Sequence, residues 1–147
     1  MSLSEILAAI PHRPPFLLID EVVAHGDQSI VCRKTFQANE WFFQGHYPGY
    51  PIVPGVLMCE ACMQAGAVLL SRVVDMATGM PVATRASDVK FKRMVRPGET
   101  VQIEVTLNER LADAFFMTGK VTCEGKLACR LDFAVAITPR VEANHPK

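Results

Sequence analysis

The chain has 147 residues, 15 basic and 15 acidic side chains, half of its residues hydrophobic and a fifth charged. That length and composition specify one globular domain and exclude a disordered chain. A net charge of zero excludes nucleic acid as the main partner, because such binding calls for a basic excess.

Residues 3–9 are predicted as a short helical turn ahead of Pro11, and His12-Arg13-Pro14-Pro15 follows as an irregular, extended stretch. Phe16 to Ala24, rich in Leu, Ile and Val, reads as a strand. His25-Gly26-Asp27-Gln28 turns the chain, and Ser29 to Phe36 returns to complete a hairpin. Asn39 to Tyr50 is an aromatic loop with Gly and Pro punctuation, and it holds the only Trp, Trp41. A long helix then begins near Pro54, a residue suited to the first turn, and is predicted to run to about Ala77, where Thr78-Gly79 ends it.

Pro81 to Val95 is predicted as a long strand, followed by a turn at Arg96-Pro97-Gly98-Glu99. Thr100 to Asn108 alternates cleanly through Val101, Ile103, Val105 and Leu107. Phe115–Cys123 and Lys126–Thr138 pair across a turn at Glu124-Gly125. The expected class is α+β: one domain, residues 1–138, with an antiparallel sheet of about six strands around one long helix. Residues 139–147 form a polar tail expected to be disordered.

The apolar run Val53 to Leu70 is 18 residues long and just reaches transmembrane length. It contains Pro54, Gly55, Gly66, Glu60 and Gln64, and a central acid costs ~2.5–3.5 kcal/mol on insertion scales. A helix wrapped by protein is the better reading, with no membrane insertion. The acidic N-terminus Met1-Ser2-Leu3-Ser4-Glu5 lacks the basic region of a secretory signal. Five scattered cysteines (32, 59, 62, 123 and 129) do not resemble a disulfide framework, so reduced thiols in a cytoplasm are expected. Cys59-Glu60-Ala61-Cys62 is a CxxC inside the helix. It reads as buried structural cysteines, and the rival reading is a zinc site with His46.

Glu60 breaks the apolar pattern of this helix. An acid in such a place is either paired or pushed toward its protonated form, and beside a base it makes a general acid–base pair. The candidate base is His46, in Gln44-Gly45-His46-Tyr47-Pro48-Gly49, whose glycines allow tight turns. Gln64 lies four residues beyond Glu60 on the same helical face. Gly55 falls in the first turn, where free N–H groups can polarise a carbonyl. These parts suit proton abstraction next to a carbonyl with protonation of a leaving group. Each also has a plainer explanation: a solvated loop histidine, a carboxylate paired with a cation, an orienting amide. Lys90, Lys92, Arg93 and Arg96 form a basic cluster that is either a solvated strand edge or a docking patch for an acidic partner. His12, His25 and His145 show no companions in the sequence and are expected to be structural or exposed.

Five segments carry a resemblance to a known family. They are Pro11 to Asp20, Phe42 to Gly49, Pro51 to Leu57, Glu60-Ala61 with Gln64, and Val89 to Arg93 followed by Pro97-Gly98-Glu99. In order and spacing, over about residues 6–137, the chain resembles the 3-hydroxyacyl-acyl-carrier-protein dehydratases of bacterial fatty acid synthesis (FabZ type). The resemblance implies a hot-dog fold and a homodimer whose active sites join the His of one subunit to the Glu of the other, often assembled as a trimer of dimers. It implies that His46 and Glu60 are catalytic and that the Gly55 amide binds the thioester carbonyl. Gln64 would assist in substrate binding, and the basic cluster would dock an acyl carrier protein bearing a 3-hydroxyacyl chain. No metal or redox cofactor is expected, since loss of water changes no net oxidation state.

Tyr47, Cys62-Met63 and Met94 depart from the family's usual residues at those places, and they bear on pocket shape. A related dehydratase/isomerase group usually carries Asp where this chain has Glu60, which favours simple dehydration. Two other functions fit the same residues: a hot-dog thioesterase, in which the carboxylate activates water, and a non-catalytic acyl-binding subunit.

Overall fold

A computed structural model describes residues 1–139. In chain order these form α1 (Leu3–Ala9), β1 (Glu21–His25), β2 (Ser29–Thr35), a 3-10 turn (Trp41–Gln44), α2 (Gly55–Leu70), β3 (Gly79–Phe91), β4 (Thr100–Leu111), β5 (Ala114–Cys123) and β6 (Lys126–Pro139). The six strands make one antiparallel sheet in the order β1-β2-β4-β5-β6-β3. The sheet curls around α2, which packs on β2, β4, β5 and β6. This is the expected α+β hot-dog architecture.

The period-2 pattern places the core. Val101, Ile103 and Val105 of β4, Phe115, Met117 and Val121 of β5, and Cys129, Leu131, Phe133 and Val135 of β6 are all buried. From Gln64 to Leu70 every residue of α2 is buried, so the helix lacks a polar face along that stretch because the sheet surrounds it. Two glycines let helix and sheet approach. A Cβ on Gly119 of β5 would sit 2.7 Å from the Cys62 Cβ, and one on Gly66 would sit 3.1 Å from the Phe133 ring. α1 is closed by a capping box, with the Ser2 hydroxyl accepting from the Glu5 N–H and the Glu5 carboxylate accepting from the Ser2 N–H.

Three predicted elements differ from the structure. The strand expected over Phe16–Ala24 begins only at Glu21. Upstream of it, the backbone is engaged by a side chain: the Leu18 N–H donates to Gln64 Oε1 and the Phe16 carbonyl accepts from Gln64 Nε2. The long helix ends at Leu70 rather than near Ala77. There the Ser71 hydroxyl donates back to the Val68 carbonyl, and the Asp75 carboxylate takes the Ala77 N–H, holding turns in place of helix. The strand expected to reach Val95 stops at Phe91, where the Lys92 and Arg93 N–H groups both converge on the Ala128 carbonyl. Pro139 closes β6, and the rest of the expected tail, residues 140–147, lies outside the described residues.

The close approach at Gly119 makes a direct prediction. Gly119→Ala forces a methyl into the Cys62 side chain, so stability falls by ~1–3 kcal/mol, the usual cost of overpacking a filled core. A urea denaturation midpoint measures it, and an unchanged midpoint would mean that α2 can move away from β5 without cost.

Candidate active site

His46 sits just after the 3-10 turn, in the loop that feeds α2. Its Nδ1 is 2.9 Å from the Ile52 carbonyl oxygen. A carbonyl only accepts, so Nδ1 carries the proton and donates, and Nε2 is left with the lone pair. The ring is thereby fixed in the tautomer of a base. The flanking glycines do not supply the special backbone geometry of this loop. Tyr47 does, in the left-handed region at φ 53°, with its ring edge-on to the imidazole.

His46 lines a cavity of about 530 Å³ with Ile52, Val53, Pro54, Gly55, Val56, Met58 and Phe91, and with Lys92, Arg93 and Met94. Apart from the imidazole, the lysine and the arginine, these side chains are apolar, as an acyl chain requires. Gly55 is the first residue of α2, and no side chain caps the helix start. Its N–H is thus one of the donors that a helix leaves unpaired, with the positive end of the dipole behind it. A Cβ there would lie 2.6 Å from the Phe91 ring, so any other residue has to push that half-exposed ring aside.

Glu60 does not line that cavity. Among the described residues its partners are Gln64 and His12. Gln64 Nε2 donates to Glu60 Oε2 at 3.1 Å, and His12 Nε2 stands 3.8 Å from the same oxygen, too far for a direct hydrogen bond. The carboxyl side chain keeps a quarter of its surface exposed. Gln64 is wholly buried and spends both amide hydrogens, on Glu60 and on the Phe16 carbonyl. That geometry makes Gln64 a residue that orients Glu60 and leaves it no amide hydrogen for a substrate.

His12 is the residue that sequence reasoning missed. It was expected to lack companions, yet it faces Glu60. Burial holds its pKa below the ordinary 6.5 and Arg13 adds to this, while Glu60 pulls the other way. No periodic pattern could reveal the contact, because it joins an irregular segment to a helix 48 residues onward.

The basic cluster separates into different roles. Arg93 pairs with Glu99 at 3.1 Å and with Glu124 at 3.6 Å, Arg96 stacks on the Tyr50 ring, and Lys90 lies 3.8 Å from Asp88. Lys92 is exposed at the cavity and has no ion pair among the described residues. Cys59 meets Cys129 instead of His46 or Cys62, and no group of three or more His, Cys, Asp or Glu among the described residues could hold a metal ion. No helix among them is long and apolar enough to cross a membrane.

Residues 10–132 match the family model of the FabA-like domain. The sequence is 39% identical to the 3-hydroxyacyl-[acyl-carrier-protein] dehydratase FabZ of Clostridium perfringens over 93% of this chain and 99% of that protein. It is 40% identical to the FabZ of Chloroflexus aggregans over 94% of this chain and 96% of that one. The chain belongs to the FabZ-type 3-hydroxyacyl-acyl-carrier-protein dehydratase family. Among solved structures, a dehydratase heterocomplex from Xenorhabdus doucetiae aligns with a TM-score of 0.76 over 90% of each chain at 19% identity. A mutant thioesterase from Pseudomonas aeruginosa aligns with a TM-score of 0.73 over 95% of this chain and 96% of that one at 16% identity. At such identities these two show the hot-dog fold alone.

The depressed His12 pKa makes stability depend on pH. Below pH 6.5 the unfolded chain binds a proton that the folded chain resists, so stability falls on acidification through the range below 6.5. His12→Asn should flatten that decline by up to ~1.4 kcal/mol per pH unit, the limit for one proton. Urea midpoints compared between pH 7.5 and pH 5 test it, and an equal decline in wild type and variant would refute the assignment.

Proposed function

We propose that His46 and Glu60 of FabZ-type active sites in this protein act together across a homodimer, one residue from each subunit. The protein dehydrates a 3-hydroxyacyl chain on acyl carrier protein to the trans-2-enoyl form, a step of fatty acid biosynthesis. It is a hydro-lyase, and family membership at 39–40% identity over nearly the whole chain carries this assignment. A cytoplasmic location fits it, with acyl carrier protein as the partner.

The geometry supports a division of labour. His46 Nε2, left basic by the bond from Nδ1 to Ile52, takes the proton from C2 of the acyl chain. The Gly55 N–H donates to the thioester carbonyl, where charge builds as the C2–H bond breaks. Glu60 gives its proton to the C3 hydroxyl. The C3–O bond breaks, the C2–C3 double bond forms, and water leaves. Gln64 holds the carboxyl in place, and its wholly buried amide makes it a positioning residue.

The shared site rests on two observations. Within one protomer His46 and Gly55 line a cavity that Glu60 does not reach. Meanwhile β3 is a 13-residue edge strand with exposed Val82, Val89 and Phe91, an edge that folded proteins cover by pairing. A second copy set along β3 would bury that edge and bring a second Glu60 toward the cavity. Lys92, which has no ion pair among the described residues, is the best placed of the basic cluster to meet an acidic carrier; Arg93 is committed to Glu99 and Glu124.

Glu60→Gln keeps shape and can still accept the Gln64 hydrogen bond, but it has no proton to give. Dehydration should fall by at least ~10²-fold in a folded protein, followed by enoyl absorbance. Mixing this variant with His46→Ala under proven subunit exchange should restore part of the activity. Near-normal turnover, or no complementation, overturns the mechanism or the shared site respectively. Free thiol released from an acyl thioester would instead indicate a thioesterase.

Lys92→Glu should slow use of carrier-bound substrate by roughly threefold to tenfold at low salt and spare a short thioester mimic. The gap should close as salt rises. Equal losses on both substrates would make Lys92 structural.

A further inference from the structure

Cys59 and Cys129 are 70 residues apart in sequence and 3.8 Å apart between sulfurs. Cys129 is buried on β6, opposite Phe91 of β3 in the sheet register. Phe91 packs on Gly55, one helical turn before Cys59, so two neighbouring sheet residues rest on two successive turns of α2. The thiol pair therefore lies one turn from the carbonyl-binding amide and adjacent in sequence to Glu60.

The five cysteines are chemically unequal. Cys62, the other half of the CxxC, is fully buried against Gly119, and burial pushes its pKa up. Burial pushes Cys32 up to about 12, and Cys123 is raised chiefly by burial as well. Cys59 alone is only half-buried, and its pKa is lowered, first by its hydrogen bond with the Cys129 thiol. Cys129 is correspondingly raised and keeps its proton. One accessible, more acidic thiol beside one protonated partner is the arrangement of an attacking and a resolving cysteine.

We propose that Cys59 and Cys129 are a site of oxidation by hydroperoxides, closing to an intrachain disulfide that ties α2 to β6 and slows the reaction at Glu60. The Cys59 thiolate attacks a peroxide oxygen, the O–O bond breaks, an S–O bond forms, and the departing oxygen takes a proton. The Cys129 sulfur then attacks the Cys59 sulfur. An S–S bond forms, the S–O bond breaks, and the hydroxyl leaves as water with the Cys129 proton. The two sulfurs give up two electrons and the peroxide receives them. Closure to a bond of about 2.0 Å draws the sulfurs together by roughly 1.8 Å and tethers the helical turn carrying Glu60 to β6.

The rate effect rests on the dehydratase reading, whereas the bond itself does not. The full-length protein is treated with hydrogen peroxide, alkylated, digested and mapped by mass spectrometry, and dehydration is measured before oxidation, after it, and after a dithiol reductant. The expected product is a peptide pair joined through residues 59 and 129. Dehydration should drop by roughly 10–100-fold, the scale of an ångström-size misplacement, and recover on reduction. In Cys129→Ala, Cys59 should stop at the sulfenic acid, trapped by dimedone. A cross-link through Cys62, a link between chains, an unreacted Cys59, or a 59–129 bond with unchanged rate overturns the proposal. Absence of dehydration in the reduced protein counts against the enzymatic reading alone, and the peptide map then still decides the bond.

Discussion

The fully buried carboxamide of Gln64 is the junction on which the site depends. A helix enclosed by a sheet can be apolar nearly throughout, but an acid that must remain usable needs a polar neighbour. Gln64 supplies it and binds the backbone at Phe16 and Leu18 with the rest of its amide. Those bonds hold the Phe16–Leu18 backbone against the helix, and pairing with β2 begins at Asp20, whose N–H donates to the Arg33 carbonyl. The same segment brings His12 to Glu60. One side chain thus fixes a loop and orients a carboxyl, so its loss would leave the buried Leu18 N–H unpaired and free both the Phe16 carbonyl and the Glu60 carboxyl.

The second constraint is how closely helix and sheet approach. Gly119 admits Cys62, Gly66 admits Phe133, and Gly55 admits Phe91. The last of these is functional as well as steric, since the Phe91 ring that presses on Gly55 also lines the cavity and leaves the uncapped amide at its edge. Helix start, cavity wall and edge strand are therefore a single packed unit. A side chain at Gly55 would displace the Phe91 ring and change the cavity wall beside the helix start.

Much of this was legible in the sequence because the signals were local. The alternation through Val101, Ile103 and Val105 gave β4, and the apolar run after Pro54 gave the helix start. Glu60 stood out as the one acid in that run, and the ordered motifs from His12 to Glu99 pointed to the family. The illegible parts were contacts made by individual side chains, with the backbone or with one another. Gln64 replaced a strand at Phe16, the Ser71 hydroxyl and Asp75 shortened the helix, and His12 reached Glu60 across the fold. The CxxC spacing directed attention to Cys62, yet a helix places residues three apart on neighbouring faces, and the sheet supplied Cys129 instead. Among the four cations, only pairing distances separated Lys92 from Arg93, Arg96 and Lys90.

In the proposed shared site, keeping base and acid apart within one chain has a physical logic. His46 gains its tautomer from a loop carbonyl, and Glu60 its orientation from a buried amide. Neither partner needs the other group, so each half is built before the halves meet. Under that proposal, an edge strand that finds its partner in a second chain would tie assembly to activity: the exposed β3 residues would be covered as the second chain brings its acid to the cavity. The Cys59–Cys129 contact lies on the acid's side of that division, next to Glu60, so a bond formed there would act on the acid and leave the hydrogen bond that prepares His46 untouched.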